Sequence, residues 1–135
     1  SAWHDCNGGT LGYAQVTANQ TTITTETDLT SLTVTVTVPA NHRIRISAQT
    51  ALQSSVASDQ LTLRIKESST VLQTCRTSLA ASAIDQSLRC FVIITPNGAS
   101  HTYKLTLERS SGSGNAQLTA SSNQPATMLV EDIGQ

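Results

Sequence analysis

Residues 4–6 read His-Asp-Cys, three consecutive side chains that can each bind a metal ion. Imidazole, carboxylate and thiolate are all zinc ligands, but consecutive side chains point in different directions and cannot easily share one ion. The other histidines, His42 and His101, have no companion ligand at metal-binding spacing. We therefore expect neither a metal site nor a cofactor, and we interpret residues 1–10 as a flexible lead-in or linker with a glycine-rich turn.

Acid–base chemistry would need two carboxylates or a nucleophile and a base on one surface. Glu131 and Asp132 are the only adjacent acids, and in a strand they would face opposite sides of the sheet. The sequence has no nucleophile-elbow motif, no phosphate-binding glycine loop and no paired-cysteine zinc spacing. We expect a protein that is not an enzyme.

Cys75 and Cys90 lie in two predicted strands, 71–79 and 87–95, joined by a short loop of small residues. If the loop closes symmetrically, the two strands pair with Cys75 directly opposite Cys90. Two interpretations stay open at this point. The cysteines are either packed free thiols on the buried face or a disulfide.

The elements that would position these side chains are best defined around residues 32–52. Segments 32–38 and 43–52 both alternate apolar with polar residues, and a Pro-Ala-Asn-His break separates them. This pattern predicts a hairpin of two half-buried strands. The apolar side chains that would share the buried face are Leu32, Val34, Val36, Val38, Ile44, Ile46, Ala48 and Leu52.

The same alternation recurs along the chain, with turn-forming residues about every ten positions and no helical periodicity. Thr and Ser make up more than a quarter of the residues, which favours strands over helices. We therefore predict an all-β protein: one antiparallel β-sandwich, jelly-roll-like, with eight or nine strands over residues 11–135.

The charge pattern disfavours two classes of partner. The net charge is -1 and only 13% of residues are charged, so there is no basic field for nucleic acid or for an anionic membrane surface. No apolar run approaches the ~20 residues of a membrane span. Arg43, Arg45, Arg64 and Lys66 could form a modest basic stripe, but such charges more often keep a sheet soluble.

Three apolar residues occupy positions that the alternation assigns to the outside: Leu72, Phe91 and Ile93. A strand that is apolar on both faces must be covered twice. We predict that a second copy of the chain covers them in a homo-oligomer. The alternative is that the Thr-rich connection at 17–30 covers them within one subunit.

Three stretches resemble one family: 11–29, then 43–46 together with 63–67, and above all the ending Leu-Val-Glu-Asp-Ile-Gly at 129–134. They are similar to virion proteins of tailed phages that infect actinobacteria, of the minor tail or head-decoration type. The similarity covers nearly the whole chain from Leu11 onward. The chain departs from that family in its three cysteines, Cys6, Cys75 and Cys90.

The resemblance implies a non-enzymatic structural protein of a virion, either a minor tail protein or a capsid decoration or head fibre protein. It implies assembly in the host cytoplasm, a function on the extracellular particle, and contact with other virion proteins and with host-surface glycans. It also implies that the homo-oligomer is a trimer. The alternative function is a secreted carbohydrate-binding or adhesion β-sandwich. Aromatic residues are only 3% of the chain, which favours the virion interpretation.

Overall fold

The computed structural model of the protein describes residues 9–135, which form ten β-strands and no helix. The predicted antiparallel, jelly-roll-like sandwich is confirmed. Most of the predicted lead-in, including residues 4–6, lies outside the described residues. The strands are β1 (Thr10–Val16), β2 (Gln20–Ile23), β3 (Thr27–Thr37), β4 (Arg43–Ser54), β5 (Gln60–Glu67), β6 (Thr70–Ser78), β7 (Gln86–Ile94), β8 (Ser100–Ser111), β9 (Ala116–Thr119) and β10 (Ala126–Gly134).

The strand number exceeds the expected eight or nine because the Thr-rich connection contains the four-residue strand β2. Its Thr-Thr core has too few apolar residues to stand out from a loop. Among residues 9–135, no helix is long and apolar enough to cross a membrane.

The strands form two antiparallel sheets. Sheet A has the order β1-β10-β4-β9-β2, with β7 paired to the other edge of β4. Sheet B has the order β3-β8-β5-β6. The chain therefore crosses between the sheets after β2, β3, β4, β6, β7 and β8, as a jelly roll requires.

Residues 32–52 do not form the predicted hairpin, but the prediction of which side chains are buried is correct. β3 pairs with β8, and β4 pairs with β10 and β7, so the two segments lie in opposite sheets. All eight apolar residues that alternation placed on one face are buried, because the inner faces of the two sheets meet across the core. Burying each large aliphatic side chain contributes about 1.5–3 kcal/mol.

Cys75 and Cys90 form a disulfide, with their Cα atoms 5.9 Å apart. The pairing register expected for them is wrong, because β6 belongs to sheet B and β7 to sheet A. The disulfide therefore joins the two sheets along one side of the sandwich. On the same side, the Gln73 side-chain amide donates to the Phe91 carbonyl oxygen at 3.1 Å.

Leu72 does not face outward as predicted. The β5–β6 ladder runs from Ile65 opposite Gln73 to Lys66 opposite Val71, so Leu72 is the extra residue of a bulge. The bulge shifts the alternation by one residue. Leu72 packs against the core, and Val71 is exposed in its place on the outer face of sheet B.

Asp59 holds together the loops at one end of the sandwich. Its carboxylate is 1% exposed and accepts hydrogen bonds from the Ser54 hydroxyl at 2.6 Å and from the backbone N–H groups of Ser113 and Gly114 at 3.1 and 2.9 Å. Burial alone would raise the pKa of Asp59. The hydrogen bonds and the charge of Arg109 outweigh burial and hold the pKa below its ordinary value.

Candidate interaction face

The outer face of sheet B is covered by ion pairs. Arg64 contacts Glu108 at 2.8 Å, Lys66 contacts Glu26 at 3.0 Å, and Lys104 contacts Asp28 at 3.0 Å. The pKa of Glu26 is lowered by a hydrogen bond from Thr106 and, against the opposing effect of burial, by its two basic neighbours. These pairs neutralise most of the charge on this face; among residues 9–135, Arg76 on β6 is exposed there without an ion-pair partner.

The basic stripe considered from the sequence is divided between the two sheets. Arg64 and Lys66 lie on sheet B among acids, whereas Arg43 and Arg45 lie on sheet A. Arg45 pairs with Glu131 at 3.1 Å. No continuous basic surface results from these four residues.

The outer face of sheet A has a different chemistry. One row of side chains crosses four neighbouring strands: Tyr13 on β1, Leu129 on β10, Ser47 on β4 and Phe91 on β7. At a strand spacing of about 4.8 Å the row is roughly 14 Å long. The small Ser47 between larger neighbours leaves a depression of about 330 Å³, which we call the sheet A depression.

The aromatic ends of this row are exposed. Tyr13 is 54% exposed and Phe91 is 57% exposed, while Ile93, two residues along β7, is 48% exposed. Val92 and Ile94 point the other way and pack against the core. The structure therefore places Phe91 and Ile93 on the outside, as the alternation predicted, on the same face as Tyr13 and Leu129 and away from Leu72.

The rim of the depression has a surplus of positive charge. Arg45 is neutralised by Glu131, but Arg89, which lies opposite Gln49 in the ladder, has no carboxylate within ion-pair distance among residues 9–135. The Tyr13 hydroxyl donates to the Gln15 side-chain oxygen at 3.1 Å. The depression thus combines apolar walls with one unpaired guanidinium.

Sequence reasoning missed Tyr13 and Leu129 as parts of this surface. Both are outward positions in short alternating segments, but their proximity to Phe91 depends on β1, β10, β4 and β7 being neighbours. Because those contacts join residues far apart in the chain, no local sequence pattern predicts them.

His42 and His101 lie away from this face, each beside one carboxylate and each largely buried. His42 Nδ1 is 2.8 Å from Asp132 Oδ2, and His101 Nδ1 is 2.7 Å from Glu67 Oε2. Asp132 is buried while Glu131 faces out, so the adjacent acids are separated as predicted. Within residues 9–135 no group of three His, Cys, Asp or Glu side chains could hold a metal ion.

No protein-family model and no curated protein sequence matches this chain. Among solved structures, murine APRIL is similar over 90% of this chain and 98% of that one, with a TM-score of 0.57 and 12% identity. The sugar-binding C-terminal domain of EclA is similar over 86% of this chain and 79% of that one, with a TM-score of 0.50 and 8% identity.

A further match is to an insecticidal delta-endotoxin of Bacillus thuringiensis, with a TM-score of 0.48 and 13% identity. It covers 89% of this chain, but the chain spans only 19% of the toxin's length. At these identities the similarities show the fold alone.

Proposed function

We propose that the chain is a non-enzymatic structural protein of a tailed-phage particle, a minor tail protein or a capsid decoration or head fibre protein, that self-associates through the outer face of sheet A. The resemblance of residues 11–134 to such virion proteins supports the setting. The Cys75–Cys90 disulfide is compatible with a protein that works outside the cell.

The observation that carries the proposal is the difference between the two outer faces. Three ion pairs neutralise most of the charge on sheet B, whereas sheet A exposes Ile93 and, on either side of a depression, Tyr13 and Phe91. Contiguous exposed apolar side chains on a small protein are typical of an interaction surface. A second copy of the chain is always available during assembly, and a closed trimer is the arrangement that we propose.

Light scattering of the full chain at micromolar concentration tests self-association. We expect a mass near three times the 14.2 kDa of one chain. Phe91→Lys places a charge in the apolar row and should give a monomer with an unchanged β-sheet circular dichroism spectrum. Val71→Lys is the matched control, because Val71 is 47% exposed on sheet B and should not affect assembly.

A wild-type mass of 14.2 kDa at all concentrations would contradict the proposal. Equal loss of assembly in both variants would also contradict the assignment of the interface to sheet A. The proposal includes no catalysis, so turnover of a cell-wall polysaccharide by the pure chain would be evidence against it.

A second candidate function is a carbohydrate-binding or adhesion module, with a host-surface glycan as the partner. The specific observation in its favour is that two aromatic rings flank a depression lined by Gln49 and Arg89, since sugars stack on rings and bond to amides and guanidinium groups. A glycan array with wild-type protein and Tyr13→Ala distinguishes the two. Glycan binding by a monomer, lost in Tyr13→Ala, would favour this function.

A further inference from the structure

We infer that the sheet A depression receives the tip of the β6–β7 connection, Ile84 and Asp85, from a second copy of the chain. This inference rests on the self-association proposed above and names the segment that fills the depression. It makes the interface heterologous: one surface of each copy contacts a different surface of the next.

One large apolar side chain, Ile84, projects from the tip of the connection. Ile84 is 61% exposed, the highest value among the large apolar residues of the described chain, and its preceding neighbours at 80–83 are Ala, Ala, Ser and Ala. Two hydrogen bonds to the end of β4 hold the tip in place. The Ala83 N–H donates to the Ser54 carbonyl oxygen at 2.8 Å, and the Gln53 side-chain amide donates to Asp85 Oδ1 at 3.0 Å.

This tethering reduces the entropy that would be lost on docking, because the tip is already ordered in the free chain. A floppy loop of the same composition would associate less tightly. The connection is therefore suited to insert as a preformed unit.

The depression complements the tip in both shape and charge. Its floor is the small Ser47, and its walls are the rings of Tyr13 and Phe91, which suit a branched aliphatic side chain. Arg89 at the rim has no carboxylate partner among residues 9–135. Within the same part of the chain, Asp85 has no basic partner and bonds only to a neutral amide. An apolar residue next to an acid thus faces an apolar depression next to an arginine.

The tip cannot fill the depression of its own copy. It precedes Gln86, the first residue of β7, whereas Ser47, the floor of the depression, lies opposite Phe91 in the β4–β7 ladder. The five residue steps from Gln86 to Phe91 along a paired strand span about 17 Å. The contact must therefore be made between copies, and such head-to-tail contacts either close into a ring or continue as an open filament.

A charge-exchange series tests the contact. Arg89→Glu and Asp85→Arg should each weaken self-association about tenfold, because each places like charges together at every interface. The double variant restores opposite charges and should return the affinity to near the wild-type value. Arg76→Glu is the control, since Arg76 is an exposed arginine of β6 on sheet B. A double variant no tighter than either single variant would overturn the inference.

Cysteine cross-linking gives an independent measurement, in a Cys6→Ser background. Ser47→Cys and Ile84→Cys should form a disulfide-linked dimer only when the two variants are mixed, whereas neither should form one alone. In one chain that carries both changes, the ladder of linked species should stop at three copies. Replacing Ile84→Cys by Val71→Cys should abolish linking.

The possible failures can be told apart. If light scattering shows an oligomer but the mixed cysteine variants do not link, this inference is wrong and the proposed self-association stands. If the wild-type chain is a monomer at all concentrations, both are wrong.

Discussion

At the scale of single residues, Asp59 is the side chain whose removal should cost the most stability. Asp59→Ala leaves the Ser54 hydroxyl and the N–H groups of Ser113 and Gly114 without their acceptor, and we expect a loss of about 3 kcal/mol in the free energy of unfolding. Urea denaturation measures it. Asp28→Ala, which breaks only the exposed pair with Lys104, should cost less than about 1 kcal/mol.

The pH dependence at Asp59 has a definite sign. Because the folded-state pKa is lowered, its contribution to stability is fully present above the unfolded pKa of about 3.9 and is lost as the pH falls through the folded-state pKa. The difference between wild type and Asp59→Ala should therefore shrink only in strong acid. A difference that already shrinks near neutral pH would contradict this account.

His101 should give the opposite dependence. Its pKa is raised, chiefly by the hydrogen bond with Glu67 and also by the Asn97 carbonyl, against the effect of burial. Its stabilisation is therefore fully present below about pH 6.5 and is lost as the pH rises through the folded-state pKa. Melting temperatures of wild type and His101→Gln should differ most in mild acid. A difference that grows at alkaline pH would exclude this role.

At the scale of strands, the disulfide is a covalent cross-link between the sheets in addition to the backbone connections. Cys75 and Cys90 are 15 residues apart, and closing a loop of that size stabilises the folded state by about 3 kcal/mol. We expect Cys75→Ala/Cys90→Ala to lose about that amount in chemical denaturation. The reduced wild-type protein should behave like the double variant, and equal stability of the oxidised and reduced forms would contradict the expectation.

Strand faces could be predicted from the sequence, but strand partners could not. Alternation placed Phe91 and Ile93 outside, and Val34 and Ile46 inside, because side-chain direction depends only on position along one strand. The pairing of β4 with β10 joins residues some eighty positions apart, so no local pattern reports it. The predicted face of Leu72 was wrong because a one-residue bulge reverses the alternation, and the residue types around Leu72 do not indicate a bulge.

At the scale of the whole molecule, the two outer faces differ in their side-chain chemistry. Most charged side chains on sheet B form ion pairs, and sheet A carries the depression and the exposed aromatic rings. β6 and β7, which lie along one side of the sandwich, are tied together by the disulfide and by the Gln73 amide. Edge-to-edge pairing of copies is thereby disfavoured on this side of the sandwich.

The division of the faces also determines how the molecule can be attached to a surface. The chain has two lysines, Lys66 and Lys104, and both lie on the outer face of sheet B. Lysine-directed coupling to a sensor chip or a bead therefore tethers the chain by sheet B. The sheet A depression, on the opposite face of the sandwich, is then left open to the solution.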